Sequence, residues 1–184
     1  ANGQLRNHRR WGLLGISFPT AMVFTGLTVA IQGLQARLDA GYGDMARAFS
    51  IVPITGILLF AALVTAAIAN LKRPEWHKRF MLVATAQILQ AAVARFFFLA
   101  ATGGGGPEMR PGIGPPRPVE TTMMAGLIVA SLVVAAMVHD WRTRGRVHPA
   151  YWWGFRAMMA VQLARPLLDQ TQAWYRIADF LVRF

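Results

Sequence analysis

Residues 48–71 read AFSIVPITGILLFAALVTAAIANL, a run of 24 residues without a charge. A helix rises ~1.5 Å per residue, so about 20 such residues cross a hydrocarbon core of ~30 Å. This run is long enough to cross, and no ion would have to leave water for it to do so. Two more runs have the same character: Trp11 to Ala36 holds no charged residue, and neither does Thr121 to His139. The whole chain agrees with its parts. Its 184 residues are 55% apolar and 15% charged, with a mean hydropathy of +0.38. That apolar content excludes a disordered chain, and the absence of cysteine excludes a disulfide framework, thiolate metal sites and cysteine nucleophiles.

Working outward, two more segments complete the fold. The first spans about 74–101. It opens with Pro74 and Glu75, which suit a helix N-terminus, and from Phe80 onward only Arg95 interrupts the apolar run. The second spans about 149–180 and carries Arg156, Arg165, Asp169, Arg176 and Asp179. Tyr151, Trp152 and Trp153 give it an aromatic anchor, and a break is expected near Arg165-Pro166. The predicted fold is all-α, a single transmembrane bundle of about five helices over 8–34, 48–71, 74–101, 120–140 and 149–180. Residues 33–50 read as a short amphipathic link. Residues 102–118 hold six glycines and five prolines and read as a flexible loop. The first apolar run is too long for a signal peptide and lacks a small-residue cleavage site, so it reads as a retained span.

Lysine and arginine set the orientation. Ten of them fall before the first run, around Lys72–Arg79 and around Arg142–Arg146; six (Arg37, Arg47, Arg110, Arg117, Arg176, Arg183) fall on the other side. The positive-inside asymmetry predicts a cytoplasmic N-terminus. The net charge of +11 lies mostly in these short basic links, where anionic lipid headgroups account for it, and nucleic acid is not an expected partner. The expected partners are the bilayer and other membrane-protein subunits.

All four histidines, His8, His77, His139 and His148, fall on the basic side. Neutral imidazole is a common ligand of metals and haem iron, so they form a candidate site. His8 heads a helical stripe with Gly12, Gly15, Pro19, Met22 and Gly26, where a helix or a flat macrocycle could approach closely. His77 heads one with Met81, Ala84, Ile88, Ala91 and Arg95; His148 heads one with Phe155, Met159, Gln162 and Pro166. Glu75 and Asp140 are candidate metal partners or acceptors that would orient an imidazole. A second polar set lies deeper: Arg95, Arg165, Asp169, Gln87, Gln90 and Gln162. Intramembrane charge is costly and faces an interior partner, so Arg95 and Arg165 are expected to point inward with Asp169 beside one of them.

The stretch Lys72–Phe98, KRPEWHKRFMLVATAQILQAAVARFFF, runs from a basic link through His77-Lys78-x-x-Met81 to Ala92-x-x-Arg95. With His8-Arg9-Arg10-Trp11-Gly12 it resembles a family of predicted bacterial multi-pass membrane proteins of unknown function. The resemblance covers about the first 100 residues. It implies an inner-membrane bundle in which His8, Gly12, His77, Lys78, Met81 and Arg95 are the matching positions, and it implies no chemistry. Three functions stay open. One is a redox or accessory subunit holding haem b or a divalent metal between His8 and His77, with His139 or His148 closing the site. Another is a membrane metalloenzyme acting on lipid, with Asp140 or Glu75 as base. The last is a cofactor-free structural or assembly subunit of a larger complex.

Overall fold

The computed structural model describes residues 11–101 and 114–183. They form six α-helices: α1 (Gly12–Asp39), α2 (Gly43–Ala69), α3 (Pro74–Ala101), α4 (Met123–Arg144), α5 (Pro149–Leu168) and α6 (Gln172–Leu181). A short 3-10 turn, Val119–Thr122, leads into α4. Four of these segments are long and apolar enough to cross a membrane: Leu14–Asp39, Gly43–Ala69, Pro74–Ala100 and Val119–Arg144. The protein is thus an all-α, multi-pass chain of the membrane-spanning kind. The fifth expected span, α5, is 20 residues long but, with Tyr151, Trp152, Trp153, Gln162 and two arginines, not apolar enough to join that set.

The expected link at 33–50 is far shorter than its composition implies. α1 runs to Asp39 and α2 starts at Gly43, because amphipathic residues such as Arg37 and Arg47 extend the helices instead of leaving them. Gly41, at φ 85°, makes the turn between them. The last segment breaks at Asp169–Thr171 and not at Arg165-Pro166. Pro166 is carried inside α5, and the Thr171 hydroxyl accepts from the Trp174 N–H to start α6.

Helices α2, α3, α4 and α5 form the core. Leu63 and Val64 of α2, Val83 and Ala84 of α3, Val129 and Val133 of α4, and Met158 of α5 are all buried in one cluster. One glycine sets the spacing between α3 and α5 there. A Cβ on Gly154 would lie 2.9 Å from the Val83 side chain, so α5 sits close against α3 only because that Cβ is missing. α1 lies outside this core and packs chiefly along α2, burying Ala30 and Leu34. A Cβ on Gly26 would meet the Ile57 side chain of α2 at 2.6 Å, so α1 also comes close to α2 there. α6 folds back against the start of α2: Trp174 Nε1 donates to the Arg47 carbonyl at 2.8 Å, and Arg47 pairs with Asp179 at 2.7 Å. The α2–α3 and α4–α5 links therefore share one end of the bundle, the basic end. The starts of α2 and α4 and the end of α5 share the other.

Candidate functional site

Two polar clusters occupy opposite ends of the core, separated by the apolar layer of Val83, Val133 and Met158. The one at the basic end starts in the first turn of α3. Glu75 and Arg79 stand one turn apart, and Arg79 Nη1 donates to the Glu75 carboxylate at 2.6 Å and to its carbonyl at 2.9 Å. The rest of the Arg79 guanidinium forks onto Asp140 of α4, through Nη2 to Oδ1 and Nε to Oδ2. Both partners are buried, Arg79 2% and Asp140 5% exposed. Arg144 closes the network, with Nη1 2.7 Å from Glu75 and Nε 3.2 Å from Asp140. Asp140 also accepts the His148 backbone N–H at 2.9 Å, which fixes the turn between α4 and α5. That turn is made at Gly145, in the left-handed region at φ 70°. Arg79 stacks over Tyr151, its guanidinium carbon 5.4 Å from the ring centre.

The three described histidines do not gather here. His8 lies outside the described residues, and so does its expected approach to His77. His77 Nδ1 sits 2.8 Å from the Ala67 carbonyl, where as a donor it caps the end of α2. His148 uses Nδ1 as the acceptor for the Ala150 N–H at 3.2 Å, the N-cap of α5, and its ring meets Trp76 edge-on at 5.1 Å. This role needs neutral imidazole, and the surroundings favour it: burial first, then the Arg79 charge, hold the His148 pKa below its usual value. His139 is exposed. Among the described residues no three histidine, aspartate or glutamate side chains come together in a way that could hold a metal. Glu75 and Asp140 do meet, but as acceptors for arginine. No described side chain packs on Gly12 or Gly15. A Cβ at either meets nothing within 4 Å.

The second cluster is built on one face of α5. Tyr151, Gly154, Met158, Gln162 and Arg165 form a buried stripe at spacings of three and four, and Asp169, just past the helix end, continues it. The face expected from His148 is displaced from this one, because His148 is a cap and not a core residue. Arg165 is 2% exposed and its guanidinium is held by four oxygens, all neutral. Nε donates to Thr55 Oγ1 at 3.0 Å, Nη2 to the Val52 carbonyl at 3.2 Å, and Nη1 to Gln162 Oε1 at 2.8 Å and Gln90 Oε1 at 3.4 Å. The Gln90 amide also donates to Gln162 Oε1 at 3.0 Å, and both glutamines reach the Thr122 carbonyl at 3.4 Å. Gln87 is buried beside them. Two glycines clear the space: a Cβ on Gly56 would stand 3.3 Å from Arg165 Nη2, and one on Gly126 only 2.4 Å from the Gln162 amide.

Asp169 is 3% exposed, one turn beyond Arg165, yet no carboxylate lies within ion-pair distance of Arg165 among the described residues. Asp169 Oδ1 is buried without a hydrogen-bond partner. The expected Arg165–Asp169 pair is therefore not made. Arg95 departs further from expectation. It is exposed and donates to the Ala91 carbonyl of its own helix at 3.3 Å. The inward face of α3 is Arg79, Val83, Gln87 and Gln90, two positions along from the stripe that His77 heads, and this turns Arg95 outward.

Sequence reasoning passed over Arg79, which counted only as one more basic residue. Its spacing of four from Glu75 was the available signal. It also passed over Gly56 and Gly126, lone glycines within apolar runs that mark where a large polar side chain needs room. Comparison with family models, curated proteins and solved structures returned no match to this chain.

Proposed function

We propose that this protein is a non-catalytic membrane subunit whose bundle holds the polar head of a lipid-soluble molecule between Arg165 and Asp169. On this reading α5 is a fifth span, the basic end faces the cytoplasm, and the Arg165 cluster lies within the far half of the bilayer. The observation that carries it is Asp169 Oδ1, which among the described residues has no partner and is buried one turn from a buried guanidinium that has no counter-ion among them. A buried carboxylate oxygen without a partner costs about 1–3 kcal/mol, and a charge inside a membrane costs more. Packing alone asks for neither, because apolar side chains would fill the same space at lower cost.

The chemistry of the site selects the ligand. Four of the five guanidinium N–H groups of Arg165 are committed, which leaves one to donate. Asp169 Oδ1 accepts. A head that carries a hydroxyl can satisfy both, its oxygen accepting from Arg165 and its proton donated to Asp169. A phenolic hydroxyl such as that of a quinol has this pattern, on a ring that suits the apolar surroundings.

The test is a titration of the detergent-purified protein with decylubiquinol, followed by thermal unfolding. Saturation at about a hundred times Kd adds about 2.7 kcal/mol, which for a chain of this size raises Tm by about 5–10 °C. Asp169→Leu removes the acceptor without leaving a partner stranded, so it is expected to fold and to lose the shift. No shift in the native protein, or an equal shift in Asp169→Leu, would overturn the reading.

A further inference from the structure

At the basic end, a cleft of about 420 Å³ opens between α3 and α4, lined by Lys78, Arg79, Leu82, His139, Thr143 and Arg144 among others. We propose that it is a binding site for a phosphate group, carried by the headgroup of an anionic phospholipid. The inference is independent of the Arg165 site.

Charge makes the first argument. The two links and the helix turns beside them, 72–79 and 140–148, hold seven lysines and arginines (Lys72, Arg73, Lys78, Arg79, Arg142, Arg144, Arg146) against Glu75 and Asp140. One of the two negative charges sits at the back of the cleft: Asp140 is 5% exposed, and its oxygens are taken by Arg79, Arg144 and the His148 N–H, while half-exposed Glu75 is shared among three cations, Lys78, Arg79 and Arg144. The positive ends face out. The side chains of Lys78 and Arg144 are 52% and 46% exposed, and both are anchored at Glu75, at 2.6 and 2.7 Å. An oxyanion entering the cleft meets two cations already held in place, so little side-chain entropy is lost on binding.

Position makes the second argument. The cleft lies where two spans end, at the level of lipid headgroups. Leu82 forms its inner lip and is exposed. Seven residues along the same face of α3 is exposed Leu89, and seven back from His139 on α4 is exposed Leu132. An apolar track therefore leads from the cationic cleft toward the bilayer centre, where the acyl chains of a bound lipid would lie. A free phosphate has no use for that track, whereas a phospholipid uses both parts. Basic pockets between spans recognise headgroups on these terms.

Native mass spectrometry of the detergent-purified full chain, titrated with dioleoylphosphatidylglycerol or dioleoylphosphatidylcholine, tests the proposal. The two lipids share acyl chains and differ in headgroup charge. A preference for the glycerol lipid of about tenfold is expected. Lys78→Gln should cut it about threefold to fivefold, and Arg144→Gln by a similar factor. Lys72→Gln removes the same charge outside the cleft and should leave the preference nearly intact. Equal effects of Lys72→Gln and Lys78→Gln would reduce the attraction to diffuse surface charge and overturn the site. Inorganic phosphate that displaces the lipid at millimolar concentration would overturn the lipid as its source. Because Lys78 is half-exposed, loss of folding does not obscure the result.

Discussion

Replacing Asp140 with alanine removes the buried one of the two carboxylates on which the basic end converges. Three groups lose their acceptor together: the fork from Arg79, the Nε of Arg144, and the His148 N–H that sets the α4–α5 turn. Arg79, 2% exposed, cannot turn to water for compensation. Breaking a buried pair by deleting one partner costs about 3–5 kcal/mol. Arg79 keeps its bond to Glu75, so the lower end applies, about 3 kcal/mol. For a chain of this length that corresponds to a fall in Tm of about 6–12 °C. Thermal unfolding of the purified protein, followed by tryptophan emission, measures it, with Trp76 against the His148 ring as a local reporter. Glu75→Gln, at a half-exposed carboxylate, should lower Tm by less than Asp140→Ala does. The double variant Arg79→Met, Asp140→Leu removes both charges and should recover at least half of the Asp140→Ala loss. An Asp140→Ala protein that unfolds within about 1 °C of the native one, or a double variant as damaged as the single, would refute the buried-pair argument.

Four further outcomes are expected. Gly126→Ala should cost about 1–3 kcal/mol, since its Cβ would lie 2.4 Å from the Gln162 amide and displace it from Arg165; a thermal melt checks this. Gly15→Ala, with nothing within 4 Å, should be neutral or stabilise α1 by up to about 1 kcal/mol in the same assay. Asp169→Leu should leave the ligand-free protein as stable as the native one or more so, where a true Arg165–Asp169 pair would make it about 3 kcal/mol worse. The last concerns pH. The His148 pKa is depressed in the folded protein, so the unfolded chain binds its proton first, and stability should fall as pH drops below about 6.5 toward the folded value. His148→Asn keeps an acceptor at the N-cap, beside the same Glu75, Arg79, Asp140 and Arg144, and should flatten that slope in melts between pH 7.5 and 5.

The spans were legible because their signal is additive: a run such as 48–71 needs no knowledge of its neighbours. The polar clusters were legible only as composition. Arg165, Asp169, Gln87 and Gln162 were identifiable as intramembrane polar residues, but their partners come from four helices, and helical phase alone does not say which face each neighbour presents. On α3 the choice between a stripe headed by His77 and one headed by Arg79 rests on two positions, and it decides whether Arg95 points in or out. The roles of His77 and His148 were hidden for a related reason. Three histidines sit within or beside a link, where backbone groups at helix ends need partners; His77 and His148 each supply one, to the Ala67 carbonyl and the Ala150 N–H. Link length was hidden because Arg37 and Arg47, polar enough to read as loop, reach partners of their own from within helices: the Phe49 ring and Asp179.

The central claim, that Arg165 and Asp169 hold a hydroxyl-bearing head inside the bundle, is tested most directly by what the protein carries out of the membrane. Native mass spectrometry of the chain released from mild detergent, followed by organic extraction and identification of the bound species, makes the measurement on native protein and Asp169→Leu side by side. The native protein should retain a lipid-soluble molecule with a free hydroxyl at near one per chain, and Asp169→Leu should lose it while keeping its other lipids. A native protein with no such molecule, or one that Asp169→Leu retains equally, would contradict the claim.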